Sequence, residues 1–154
     1  MTHIGETLSV ALLVTSLSAC GNHVDDDDAV AFSNQIRAAR TEIDRHHGAV
    51  DAAPTRSNML AEVDYHDAQM SAVMDGMDGM MAGRMSHCSG SGMPRMQEMM
   101  GVMDTEMAAH GQNMKNTATL DEAREQCMAH TESMDGMLDT MQAALGSMGC
   151  MGNH

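Results

Sequence analysis

The sequence predicts an all-α protein, an antiparallel up-down-up-down four-helix bundle built from two pseudo-repeated helical hairpins. Three observations predict it. From Asp28 onward the apolar residues recur in alternating steps of three and four, the spacing that lines one face of a helix. Pro54, the stretch "SHCSGSG" at residues 86–92 and the stretch "TLDE" from Thr119 to Glu122 cut this pattern into four segments with short joints, which favours antiparallel neighbours. The first pair of segments also maps onto the second at an offset of 64 residues. Glu42, His46, Thr55, Glu62, Val63, His66, Met70 and Met77 correspond to Glu106, His110, Thr119, Gln126, Cys127, His130, Met134 and Met141.

Ahead of the helices, "LSVALLVTSLSAC" (residues 8–20) is too short an apolar run to span a membrane and has the length of a signal-peptide core. Its last residues, "LSAC" from Leu17 to Cys20, resemble the lipobox of bacterial lipoproteins. That resemblance implies cleavage before Cys20 and acylation of its thiol. It also implies a periplasmic, lipid-anchored protein, which Gly21 would sort to the outer membrane of a Gram-negative bacterium. "MTHIGET" departs from the pattern in carrying no Lys or Arg ahead of the apolar run. The expected organisation is a signal peptide over 1–19, a lipidated acidic tether over 20–28, a Met-rich bundle over 29–148 and a tail over 149–154.

The first helix presents Phe32, Ile36, Ala39, Ile43, His46 and Val50, and Pro54 marks its end. The second runs from about Ser57 to Met85, with Met59, Val63, His66, Met70, Val73, Met77 and Met80 in register and Met74 and Met81 beside the seam. Pro94 suits the start of the third, whose seam is Met93, Met96, Met100, Met103, Met107, His110 and Met114, with Met99 beside it. "TLDE" reads as a capping box opening the fourth, with Leu120, Ala123, Cys127, His130, Met134, Met137, Met141 and Met148 in register.

Composition makes the core unusual. The chain of 154 residues holds 21 Met but one Phe, one Tyr and no Trp, so methionine takes the place leucine normally fills. Methionine packs adaptably but specifies a core poorly. Glycines interrupt the same helices in "MDGMDGMMAG", each costing roughly 1 kcal/mol relative to alanine. The net charge of −14 opposes binding to nucleic acid and to anionic membrane surfaces, and favours cations.

A ladder recurs on this background. Glu62, His66 and Met70, then Glu106, His110 and Met114, then Gln126, His130 and Met134, each follow at intervals of four on one helix face. Folding the chain up-down-up-down brings His46, His66, His110 and His130 to one height near one end of the bundle, with His47 and Cys127 nearby. Four imidazoles in core register need partners for all their ring nitrogens. A shared metal ion satisfies them, with Glu42, Glu62, Glu106 and Gln126 behind the rings to orient them. Soft thioethers suit Cu(I) and Ag(I). The expected ligand set therefore adds Met70, Met77, Met100, Met103, Met107, Met114, Met134, Met137 and Met141, with Cys127 as a further soft donor.

At the level of class, the composition, the export signal and the His-xxx-Met pairs resemble the Met- and His-rich copper- and silver-binding proteins of the bacterial periplasm. The resemblance implies sequestration or storage of Cu(I), not catalysis, with any metal-transfer partner unspecified. Zinc, nickel or iron at the histidine layer are the alternative metals. A ferritin-like di-iron protein is the main rival reading, although that family spaces its Glu and His by three rather than four. Oxidant scavenging by methionine is another, and leaves the aligned histidines without a role. No nucleophile–base arrangement points to an enzyme. Cys88 and Cys150 fall together at the end opposite the histidines. They suit either a disulfide in an oxidising compartment or a second soft-metal site with His87, Met148, Met151 and His154.

Overall fold

A computed structural model describes residues 26–83, 85 and 91–148. These form four helices: α1 (Asp26–Ala52), α2 (Arg56–Ala82), α3 (Gly92–Asn116) and α4 (Leu120–Gly146). Each is 25 to 27 residues long, which at 1.5 Å per residue gives rods of about 40 Å. α1 packs on α2 and α4, and α3 packs on α2 and α4, so α1 faces α3 and α2 faces α4 across the diagonals of a square. This is the up-down-up-down bundle expected. None of the described helices is long and apolar enough to cross a membrane. Cys20, Cys88, Cys150, His87, Met151 and His154 lie outside the described residues, as do the expected signal peptide and most of the expected tether.

The two described joints lie at the same end and are tied to each other. Thr55 caps α2 by accepting from the Asn58 backbone N–H, and Thr119 and Glu122 form the full capping box of α4. Such caps contribute about 1 kcal/mol each. Arg56 donates to the carbonyls of Lys115 and Thr117 at the end of α3, and Arg124 donates to those of Asp51 and Ala53 at the end of α1. Backbone acceptors left over at two helix C-termini are thereby satisfied by the opposite hairpin.

The core divides into two parts along the bundle axis. A small cluster near the joints holds Val50, Ala53, Met59, Val63, Met114, Ala123 and Cys127. A longer one runs away from the joints through Phe32, Ile36, Ile43, Met70, Met77, Met103, Met134, Leu138 and Met141. Burying a methionine gains about 1.5–3 kcal/mol, against roughly 1.5–2 kcal/mol of lost rotamer freedom. The thirteen methionines buried among the described residues therefore contribute little net, and the stiffer Phe32, Ile36, Ile43 and Leu138 carry more of the surplus per residue.

Register departs from expectation in three places. In α2 the buried positions after Met70 are Met74, Met77 and Met81, while Val73 and Met80 are only partly buried. In α3 Met93 and Met107 lie at the edge of the core, and in α4 Leu138 and Ala144 join it while Met148 falls beyond the helix. A straight helix of 3.6 residues per turn drifts off a strict 3.5 repeat, and adjacent apolar pairs such as Val73–Met74 and Met80–Met81 let the buried stripe step sideways.

Candidate metal centre

His46, His66, His110 and His130 meet in one layer between the two apolar clusters, and all four are at most 3% exposed. The layer is thus not at the open end of the bundle. Val50, Val63, Met114 and Cys127 of the small cluster close it off from the joints. Because neighbouring helices run oppositely, Met114 lies on the joint side of the layer, while Met70 and Met134 belong to the long cluster on the other side.

The rings are arranged as two stacked pairs at right angles. His46 and His66 stack with centroids 4.0 Å apart and an interplanar angle of 18°, and His110 and His130 stack at 3.8 Å and 10°. Across the diagonals the pairs meet edge to edge, with His46 Nε2 3.3 Å from His110 Nε2 and His66 Nε2 3.4 Å from His130 Nε2. Three of the four Nδ1 atoms face carboxylates. His46 Nδ1 donates to Glu62, His66 Nδ1 to Glu42 and His130 Nδ1 to Glu106, at 3.0–3.3 Å. Each of these three histidines is oriented by a carboxylate from the other helix of its own hairpin. Arg45 binds both first-hairpin carboxylates, reaching Glu42 at 2.6 and 2.7 Å and Glu62 at 2.5 Å, and its guanidinium lies 4.5 Å over the Tyr65 ring. Burial would raise the Glu42 and Glu62 carboxyls, but the hydrogen bonds from Arg45 and the histidines hold them below the usual carboxylate range.

Burial is the main influence on the imidazoles. It lowers His66, and with the neighbouring rings it lowers His46 to about 4, His110 to about 3 and His130 to about 2. Counting hydrogen-bond protons then separates the two diagonals. The row Glu62–His46–His110 contains two contacts, and two neutral rings supply two protons. The row Glu42–His66–His130–Glu106 contains three contacts for the same two protons. With both Nδ1 protons turned to carboxylates, two bare Nε2 lone pairs face each other. One added positive charge closes the row, and burial disfavours a proton on either ring.

Other expected residues are placed less centrally. His47 is not one of the stacked rings; its side chain is two-fifths exposed, with Nε2 3.5 Å from Asp51 Oδ2. Gln126, the counterpart of Glu62, is exposed on the surface and lines a depression of about 420 Å³ with Asn113, Asn116, Thr117 and Glu122. Burial pushes the Cys127 thiol up to about 12, so it stays protonated. Met70, Met77, Met100, Met103, Met114, Met134, Met137 and Met141 are buried, and Met107 borders a groove of about 290 Å³ between α2 and α3. That groove also holds Met74, Asp67, Asp75, Asp78 and Asp104. As the side chains stand, no three His, Cys, Asp or Glu among the described residues surround a common point closely enough to hold an ion.

Sequence reasoning missed Arg45. Its signal was a break in the repeat, because the position 64 residues on is Ala109 and that of Tyr65 is Ala129.

The fold and site together define a four-helix bundle with a buried histidine layer inside a methionine core. No protein-family model, curated protein or solved structure matches the chain.

Proposed function

We propose that the protein binds and holds soft metal ions, Cu(I) or Ag(I), as a lipid-anchored protein of the periplasm. The observation that carries the reading is the layer itself. Four buried imidazoles turn Nε2 inward, and three of them, His46, His66 and His130, are braced at Nδ1 by carboxylates, the arrangement that orients histidine ligands around a metal. The row through His66 and His130 lacks one positive charge, and an ion supplies it. With metal–nitrogen bonds of about 2.0–2.1 Å, an ion between two Nε2 atoms sets them about 4 Å apart, roughly 0.7 Å more than their present separations. Rings in a core of flexible methionines have room to part by that amount. The thioethers of Met70 and Met134 flank the layer on the deep side and continue into the long cluster.

The carboxylates stand behind the rings, and two of them are engaged by Arg45. That placement favours imidazole ligation over the carboxylate bridging of a di-iron centre. The test is an anaerobic Cu(I) titration of the purified full chain against a chromophoric chelator, with bound metal counted by mass spectrometry. Several tightly held Cu(I) ions, fewer after Met100, Met103, Met134 and Met137 are changed to Leu, support storage. Failure to compete with the chelator overturns the copper reading, and a preparation loaded with iron and indifferent to copper favours the di-iron one. Retention in the outer-membrane fraction, lost in Cys20→Ala, tests the anchor.

A further inference from the structure

The two halves of the histidine layer are shielded unequally. On the α1–α2 face the Glu42 and Glu62 side chains are 11% and 16% exposed, and Arg45 spans both carboxylates with Tyr65 against it. On the α3–α4 face the corresponding positions hold Ala109 and Ala129, both exposed, and Glu106 is 33% exposed. The polar depression lined by Asn113 and Gln126 opens on this face, within a turn of His110 and His130 along each helix. His110 and His130 keep 3% and 2% exposure, whereas His46 and His66 keep none.

We propose that ions reach and leave the histidine layer through the α3–α4 face, past Ala109, Ala129 and the exposed Gln126, while Arg45 seals the α1–α2 face. This rests on the metal-binding reading and specifies its route. Passage on the α1–α2 face would break charge-assisted hydrogen bonds between Arg45 and two carboxylates, the strong kind. Passage on the α3–α4 face meets the single Glu106 carboxylate, a neutral amide and two methyl groups, with alanine at the position where Arg45 stands on the other face. The amide and carboxylate oxygens of the depression are hard donors that hold Cu(I) weakly, so they guide the ion without retaining it. The stacked pair His110–His130 is met first, and His130 belongs to the row that lacks a charge.

The test transplants the seal. In the full chain, Ala109→Arg with Ala129→Tyr places on the α3–α4 face the two side chains that Arg45 and Tyr65 provide on the other. Cu(I) is presented anaerobically as its bicinchoninate complex, and loading is followed by stopped-flow loss of the complex's colour. The expected result is loading at least ten-fold slower than wild type, with the same final number of ions. Ala143→Arg, an exposed position farther along α4, adds the same charge and should change the rate less than two-fold. Should the double variant lose helicity, Ala109→Arg alone, at an exposed position, is measured instead with the same expectation. Wild-type loading rates in the sealed variant overturn the route while leaving the metal site standing. An equal slowing in Ala143→Arg also overturns it, because the effect is then only charge. No ions taken up by the wild type overturns the metal reading, and the route with it.

Discussion

Acidification should dismantle the metal-free bundle well above the usual carboxylate range. The four layer histidines are depressed when folded, His46 to about 4, His110 to about 3 and His130 to about 2, from an ordinary value of 6.5. Between those values and 6.5 the unfolded chain binds more protons than the folded one, so stability rises with pH across that window and falls as pH drops through it. A pH of 5 is about 1.5 below the unfolded value and above all three folded ones, so each of the three rings loses about 2 kcal/mol there, about 6 kcal/mol together, before His66 adds its share. The groups facing these rings do not offset the loss. Glu42 and Glu62 are held low, Arg45 is raised, and the contributions of the two carboxylates disappear only below about pH 4.5. A total stability of about 5–15 kcal/mol leaves little margin. Urea unfolding followed by circular dichroism at pH 7.5, 6 and 5 should show the stability dropping steeply below pH 6.5. Bound Cu(I) should move the drop to lower pH, since it holds the imidazoles deprotonated. A urea midpoint that stays level, or rises, from pH 7.5 to 5 would refute the reasoning.

Other outcomes follow from single contacts. Arg45→Ala leaves two mostly buried carboxylates without their cation. Arg45 is itself 36% exposed, so the cost falls between that of a surface and a buried pair. That is about 2–3 kcal/mol, or roughly a 10 °C loss in thermal midpoint by calorimetry. Gly101→Ala and Gly136→Ala put a methyl group into open space on a helix, and each should stabilise by about 0.5–1 kcal/mol in urea titrations. Gly92→Ala places its new carbon 2.4 Å from the Ala144 carbonyl oxygen and should destabilise. Cys127, buried with its thiol pushed up to about 12, should resist iodoacetamide in the native protein and react at once in urea, as mass spectrometry would show.

Most of the fold was legible because joints and period each left a separate mark. All six seam residues expected in the first helix are buried, from Phe32 to Val50. Past Met70 the α2 stripe was legible at Met77, which is buried as expected, but Val73 and Met74 are both apolar and pattern alone does not choose between them. The four histidines could be found because polar residues at seam positions stand out. Their diagonal Nε2 pairing could not, since it depends on ring rotations set by carboxylates from the neighbouring helix. The unequal faces were written in the repeat as Arg45 against Ala109 and Tyr65 against Ala129. They acquire meaning only once the helices place those positions outside the rings.

The diagonal pairing also sets how the two hairpins recognise each other. His46 reaches His110, and His66 reaches His130, so every contact across a diagonal joins one hairpin to the other. A methionine interior tolerates many alignments, because each flexible side chain repacks wherever it lands. Slide one hairpin by a single helical turn and four imidazoles would face thioethers, each leaving a buried polar atom unpaired at about 1–3 kcal/mol. One polar layer thus acts as an index mark, selecting a single docking of two halves whose greasy surfaces alone would accept several.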